Sequence, residues 1–475
     1  MKRKNDLPEV EPVVLKNLGS IRPGVYILAG LIAALLLAFF AVFFLHGLVT
    51  DKSYIRFTTD LKGFAIYEDG HYLGSTDGSV YRTTSGEHKY TVSYNGIVVS
   101  EITCDIERYY FATLFRRPVQ EIEFTPQSSE SLKSEIENTF ASEIAAWSRV
   151  TDYSDRYHFP PLYSDLASNA KALSLGDISS VWLYGAMHIT SDTLYQDYLK
   201  GTAILEDSNV IYSSGILASL EKNLSSIIDG SGKNVKMDSE RTSVNPVRDG
   251  EFFYYGKSEV IMGTDSSLSY PECNTYPVKT EAGPFAISAV AVSEYEYALF
   301  VQENPEWAKS NKAALMEKGL VDDNYLNGIT LNTKIVSGKP IRNISYYAAE
   351  AYTAWYSQKT GVNAVLPTEA EWTVAALSAS YKSPMMSLIS MDTDLNAPQN
   401  MMGQLWEFTS SSYIPLGRVS GYAEAEELSA IYPYDDIVIK GGSYISDFSK
   451  VSLDSVGVMT RSACSEYTGF RIAIR

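Results

Sequence analysis

Leu366-Pro367-Thr368-Glu369-Ala370-Glu371-Trp372 is the stretch on which the reading of this chain turns. Thr368 with Glu371 three residues on forms a capping box, so a helix begins here with its first free N–H groups satisfied reciprocally. Ser293 and Glu296 repeat the pattern upstream. Behind Ser345, the residues Tyr347, Ala348, Ala351, Tyr352 and Trp355 make one apolar helical stripe, and Gly361 stands where a C-terminal cap belongs. Downstream, Gly441-Gly442 permits a tight strand entry, with Ser443 placed to hydrogen-bond nearby backbone. Read by itself, the 366–372 stretch is a capped helix that buttresses a core.

Outward from there the chain is too long for one small domain. It has 475 residues, 45% of them hydrophobic, a formal net charge of −18, three cysteines and five histidines. Several folded units are expected, and the acidic balance argues against nucleic acid, which needs a basic stripe that releases counterions. Three cysteines cannot make a disulfide scaffold or a four-thiolate zinc site. The histidines are His46, His71, His88, His158 and His188, so any chemistry after His188 works without imidazole.

Val25–Leu45 is 21 residues without a charge. At about 1.5 Å per residue it crosses the roughly 30 Å hydrocarbon core as one transmembrane helix. The rival reading is a cleaved signal peptide, but signal cores are shorter and no small-x-small cleavage pattern follows Leu45. Residues 1–24 carry five basic against three acidic groups, a net of +2 that leaves −20 for the rest. By the positive-inside rule the 1–24 tail stays cytoplasmic. The expectation is a single-pass protein of a bacterial inner membrane with its bulk in the periplasm.

Residues 53–123 read as short strands with turn punctuation, a small all-β unit with hairpins at Asp69-Gly70 and Asn95-Gly96. Ile66-Tyr67-Glu68-Asp69-Gly70, Leu73-Gly74 and Gly86-Glu87-His88 resemble the PEGA module, a bacterial surface β-domain. The sequence departs from that family at Ser75-Thr76 and at Lys62-Gly63-Phe64-Ala65. His88 reads as a turn residue. Over 128–229 the period becomes helical: Leu132, Ile136, Phe140, Ile144 and Trp147 share one face, with further helices around Ile178–Ile189, Thr193–Leu205 and Gly215–Ile228. His158 and His188 have no second ligand at helical spacing and read as structural. A flexible break follows at Asp229.

From 244 to 475 the signatures fall in a known order. They include Met262-Gly263, Pro284-Phe285-Ala286-Ile287, Ser293-Glu294-Tyr295-Glu296, the 366–372 stretch, Asn400 to Phe408, Lys440-Gly441-Gly442-Ser443 and Gly469-Phe470-Arg471. Together they resemble the formylglycine-generating enzyme, or sulfatase-modifying factor, superfamily. The resemblance implies a C-type-lectin-like fold, so the whole chain is a multidomain α+β protein. Enzymes of the family bind copper(I) through two cysteines soon after the Gly-Gly-Ser turn, and soft thiolates suit that ion. Here the matching positions are Ser446 and Val451. The iron-dependent sulfoxide synthases of the same superfamily need a histidine triad, and residues 244–475 contain no histidine. Neither copper nor iron is therefore expected.

The resemblance also implies one calcium site, with Asn400, Gly403, Leu405 and Glu407 as oxygen donors. The alternative is that Asn400 and Glu407 satisfy loop backbone. A second calcium site is not carried over, because Ser378–Gln399 is too short. Cys273 and Cys464 fall near the first and last strands, adjacent in that fold, and either form a disulfide or remain free thiols; Cys104 reads as an inert strand residue.

The leading functional expectation is a catalytically inactive binding or scaffolding protein that recognises protein or glycan in the envelope. The chain has 34 tyrosines, and Tyr413, Tyr422, Tyr432, Tyr434, Tyr444 and Tyr467 in the late loops are candidate contacts. The alternative is an enzyme of other chemistry using Asp447, Asp454 or Glu466, although no paired nucleophile and base is visible. A third reading is a spacer.

Overall fold

The computed structural model describes residues 15–149, 159–213, 246–264, 275–379, 387–388, 395–415, 422–447, 451–453 and 455–475. The chain divides into two compact units, 1–132 and 133–475.

The first unit begins with a helix. It starts at Pro23, whose missing N–H costs nothing at a first helical position, and runs as an α-helix to Phe40. A π-helical turn, Ala41–Leu45, and a last turn, His46–Val49, complete 27 residues long and apolar enough to cross a membrane. Its apolar side chains point outward, with Leu35 and Leu37 among the most exposed in the protein.

Seven strands follow: β1 (Ser53–Thr58), β2 (Ala65–Glu68), β3 (His71–Ser75), β4 (Val80–Thr83), β5 (Gly86–Tyr94), β6 (Ile97–Ile106) and β7 (Val119–Glu123). One sheet has the order β4-β1-β7, with β7 parallel to β1, and the other the order β3-β2-β5-β6. The β2–β3 and β5–β6 hairpins turn at Asp69-Gly70 and Asn95-Gly96, all with positive φ. Ile55, Phe57, Ile66, Tyr90, Ile106 and Ile122 form the core. His88, read from the sequence as a turn residue, lies instead within β5, opposite Cys104 of β6; its Nδ1 lies 2.7 Å from Asp69 Oδ2 and its Nε2 3.1 Å from Thr84 Oγ1.

The second unit holds the helices Glu130–Trp147 (from Lys133 onward), Leu162–Leu173, Ser179–Ala186 and Asp192–Glu206. The helix Leu162–Leu173 was not anticipated from the sequence. The expected helix at Gly215–Ile228, the break at Asp229 and His158 lie outside the described residues. Tyr163, Trp182 and Tyr198 pack edge to face or tilted at the centre, with ring centroids 5.2 to 5.9 Å apart.

The remaining strands are β8 (Val247–Asp249), β9 (Phe252–Tyr255), β10 (Ser258–Thr264), β11 (Thr275–Ala282), β12 (Phe285–Ser288), β13 (Ala364–Val365), β14 (Trp406–Ser412), β15 (Ile437–Lys440), β16 (Val456–Met459), β17 (Thr468–Gly469) and β18 (Ala473–Ile474). They make a five-stranded sheet β13-β18-β12-β9-β8, a four-stranded sheet β16-β15-β14-β17 and the β10–β11 hairpin. The last strand thus lies inside a sheet, between β13 and β12. Helices Glu294–Glu303 and Tyr346–Thr360 cover one core, with Tyr297, Phe300, Tyr352, Phe408 and Phe470, and helix Glu369–Ser378 covers another, built on Trp372.

Both capping boxes are formed. Glu371 N–H donates to Thr368 Oγ1 at 3.1 Å, and Thr368 N–H donates to Glu371 Oε2 at 2.7 Å. Ser293 and Glu296 do the same. Ser345 caps the helix Tyr346–Thr360, which ends at Gly361 with φ +77°. The Gly441-Gly442 pair differs from expectation, because it leaves strand β15 instead of opening a strand.

Candidate functional site

The late loops meet at Gly441-Gly442, with φ of +100° and +71°. A Cβ on Gly441 would lie 2.5 Å from the carbonyl oxygen of Met401, and one on Gly442 would lie 2.9 Å from Val451 Cγ2. Only glycine fits both the backbone conformation and the space. The turn is pinned by Gly403 N–H donating to Gly441 O at 2.9 Å and by Tyr444 N–H donating to Gln404 O at 3.1 Å. Ser443 N–H donates to Ser446 Oγ at 2.9 Å, and Ser446 N–H returns to Ser443 O.

This turn brings Ser446 and Val451 to the same glycine: Val451 lies against Gly442, and Ser446 Oγ would be 3.6 Å from the same added Cβ. One is a hydroxyl already bonded to backbone and the other a buried isopropyl group. Neither is a copper(I) ligand. Asp447 and Glu466 are solvent-exposed, and Asp454 lies outside the described residues. Among the described residues no cluster of three His, Cys, Asp or Glu side chains could hold a metal.

The calcium ligand set does not fit the geometry. Glu407 is 1% exposed, and both of its carboxylate oxygens are taken: Arg471 Nε donates to Oε2 and Arg471 Nη2 to Oε1, each at 2.6 Å. Trp372 Nε1 adds a third bond to Oε2 at 2.7 Å. Arg471, itself fully buried, also reaches the carbonyls of Ser288 at 3.1 Å and Gln399 at 3.2 Å. A fixed guanidinium therefore stands beside the carboxylate that the resemblance assigns to calcium, and a divalent cation there would meet a like charge. Asn400 is buried with φ +55° and Leu405 is in the core, so the loop is shaped by packing. Sequence reading had noted Arg471 only as a terminal motif; a carboxylate and a guanidinium in two separate short motifs was the available signal.

A second ionic pair lies close by. Lys440 Nζ is 3.7 Å from Glu369 Oε1, both side chains 1% exposed, and the ammonium lies 5.7 Å from the Trp372 ring centroid. Arg475 binds Glu371 through two bonds of 2.8 Å, tying the last described residue to the capping box. These contacts make the 366–372 stretch the junction of the domain.

The tyrosines divide. Tyr432 is 4% exposed, its ring 5.2 Å from that of Tyr184 and its hydroxyl 3.5 Å from Glu137, and Tyr434 donates to Asn138 Oδ1 at 3.2 Å. Tyr432 is corrected from a candidate contact to packing between the helices and the late loops, because the helical segment covers it, whereas Tyr434 stays exposed. Tyr413 is half-buried, and the side chain of Tyr422 lies outside the described residues. Tyr444 and Tyr467 pair at 5.6 Å beside the glycine turn and remain partly open to solvent. The Glu466 carboxylate beside it holds the Tyr467 phenol above its ordinary pKa.

Two further side chains from the sequence reading find their places. Cys464 is a free thiol, 4% exposed among Tyr297, Tyr325 and Phe470, and burial pushes its pKa up. For Cys464 the sequence left open a disulfide with Cys273 or a free thiol; Cys273 lies outside the described residues. His188 is structural, but its partner is remote in sequence: Nε2 lies 2.6 Å from Asp435 Oδ1 and Nδ1 2.7 Å from Tyr184 O, while Tyr184 hydroxyl donates to Asp435 Oδ2 at 2.8 Å.

Residues 247–397 match the sequence family described as sulfatase-modifying factor enzyme 1-like domain. An uncharacterized protein of Borreliella burgdorferi is 43% identical over 101 residues, covering 21% of this chain and 19% of that protein. A hercynine oxygenase of Mycolicibacterium smegmatis is 26% identical over 168 residues, covering 28% of this chain and 38% of the enzyme. The chain thus spans about a fifth and about two fifths of the length of these two curated relatives. Among solved structures, PvdO from Pseudomonas aeruginosa aligns with a TM-score of 0.32 and 18% identity, over 47% of this chain and 94% of that one. Residues 247–397 carry a sulfatase-modifying factor enzyme 1-like domain.

Proposed function

We propose that this chain is a membrane-anchored, extracytoplasmic binding or scaffolding protein whose sulfatase-modifying factor-like domain is catalytically inactive. The observation that carries the reading is the pair Ser446 and Val451 set against Gly442, at the positions the resemblance gives to the copper cysteines. The absence of histidine from 244–475 argues equally against an iron triad, despite the similarity to a hercynine oxygenase. In this reading the domain has a C-type-lectin-like fold, 53–123 is a PEGA-like module, and the helix Pro23–Val49 is retained in a bacterial inner membrane with the bulk periplasmic. Docking of later residues onto that helix supports retention over cleavage: Ala112 N–H donates to Phe43 O at 2.6 Å. The contact surface for an envelope protein or glycan is the Tyr444–Tyr467 pair and the half-buried Tyr413. Calcium is left out of this function, since Arg471 occupies the Glu407 carboxylate.

The test is metal content. The full-length protein is purified in detergent and assayed for copper, iron and calcium, beside a Ser446→Cys/Val451→Cys variant. The wild type is expected to hold no stoichiometric copper or iron, and the double variant to acquire copper(I) because the two thiolates would face each other across Gly442. Stoichiometric copper or iron in the wild type would establish the rival reading, an enzyme with a non-standard site.

A further inference from the structure

Between β6 and β7 the chain makes a loop, 107–118, that turns three large apolar side chains outward. Phe111 is 51% exposed, Leu114 58% and Phe115 65%, next to one another on a protein whose described cores are otherwise well covered. Such a patch in a soluble setting is a liability and marks a surface that meets something apolar.

The loop is fastened to the end of the apolar helix. Phe111 stacks on Phe43 with centroids 5.7 Å apart and meets Phe44 at a tilt at 5.2 Å, and Phe115 lies 5.8 Å from Phe43. Ala112 N–H donates to Phe43 O, a carbonyl within the π-helical turn. Arg108 donates to the terminal carbonyls of Leu48 at 2.9 Å and Gly47 at 3.3 Å, which closes the helix with a cation. Gly47 is buried under Tyr110, and a Cβ there would lie 2.5 Å from the Tyr110 carbonyl oxygen. The helix of 27 residues is about 40 Å long at 1.5 Å per residue, longer than the roughly 30 Å hydrocarbon core. Its last turns, with the loop on them, therefore fall at the bilayer boundary.

We propose that the 107–118 loop is a second membrane contact, in which Phe111, Leu114 and Phe115 enter the interfacial layer and Arg116 and Arg117 bind phospholipid phosphates. It rests on the reading of Pro23–Val49 as a membrane span. Arg116 and Arg117 are exposed, and with Arg108 they line an open depression beside Tyr110 and Pro118. Aromatic residues at the headgroup level with arginines beside them are the pattern of an interfacial anchor, and basic groups near an anionic surface are drawn to it. The occupant is a lipid bilayer and not a soluble partner, because the patch is continuous with the span. The consequence is that the β-module is held flat against the membrane by two points instead of swinging on one.

The test uses the full-length chain in vesicles of phosphatidylcholine, with or without phosphatidylglycerol, and with lipids brominated near the headgroup end of their chains. Phe115→Trp and Leu114→Trp are each expected to lose more fluorescence to the brominated lipid than the wild type does. Arg116→Gln/Arg117→Gln should abolish any strengthening by phosphatidylglycerol, and added inorganic phosphate should not compete. Gly47→Ala, which pushes the loop off the helix, should reduce the quenching at Phe115→Trp. Flotation of the wild type with vesicles after alkaline carbonate checks the span separately. Flotation without extra quenching would overturn the second contact alone, as would competition by inorganic phosphate, whereas loss of flotation would overturn the span and the contact with it.

Discussion

Arg471 grips Glu407 by both carboxylate oxygens at 2.6 Å, with neither side chain reachable by solvent. The pair joins the segment before the last strand to the first residues of β14, and Trp372 adds the central helix to the same carboxylate. A charge buried this deeply is tolerated only because every hydrogen-bonding direction is matched.

Arg471→Ala is expected to lose about 3–5 kcal/mol of stability, since it leaves Glu407 buried and unpaired. Arg471→Lys should recover little of it, because an ammonium cannot reproduce the two-pronged contact. Denaturant unfolding of the purified protein reads both. The wild type should melt at the same temperature in calcium and in chelator; a calcium-dependent rise would return Glu407 to the role of a metal ligand.

His188→Ala should cost a similar amount, about 3–5 kcal/mol, by stranding Asp435 among Tyr184 and Ser429. A double-mutant cycle with Asp435→Asn measures the coupling. Additive effects would mean that the contact between the helices and the late loop contributes nothing as a pair.

Tyr432→Ala is expected to destabilise by about 3–5 kcal/mol as a truncated core aromatic. Tyr444→Ala should leave the melting temperature nearly unchanged and, with Tyr467→Ala, reduce capture of envelope components in crosslinking pull-downs. If Tyr444→Ala unfolds the protein while Tyr432→Ala does not, the division between packing and contact tyrosines is reversed.

Alkaline pH should unfold the second unit cooperatively. Burial pushes the Tyr255 phenol up to about 12, and raises those of Tyr297, Tyr325 and Tyr352 as well. The folded state holds these protons after the unfolded chain has released them near pH 10. Their contribution is complete below that pH and falls by about 1.4 kcal/mol per pH unit per phenol above it, until the folded pKa is passed. Absorbance of tyrosinate and circular dichroism should therefore change together above pH 10. A gradual phenolate signal with unchanged dichroism would show the rings to be accessible.

Local patterns were legible in the sequence because their causes are local. Two capping boxes, the Gly361 cap, the hairpin turns and the apolar run of the first helix each depend on a few neighbouring residues, and the structure builds all of them. The motifs from Met262 to Trp372 likewise pointed to the family domain found at 247–397, and those from Asn400 to Arg471 lie past that match. The helix Leu162–Leu173 was not singled out, although Leu162, Leu166, Ala170 and Leu173 line its buried face at helical spacing.

Partner choice was not legible. Glu407 could face calcium or a guanidinium as far as spacing shows, and only the fold brings Arg471 across 64 residues to take both oxygens. The same holds for His188, whose partner is 247 residues away, and for Tyr432, which the helical segment covers. Residue identity by itself determined which donors stand at the positions the resemblance gives to the metal ligands, since serine and valine carry no thiolate and residues 244–475 carry no imidazole. Tertiary structure decided where the charges go, because burial makes an ionic group depend on whichever opposite charge the packing delivers.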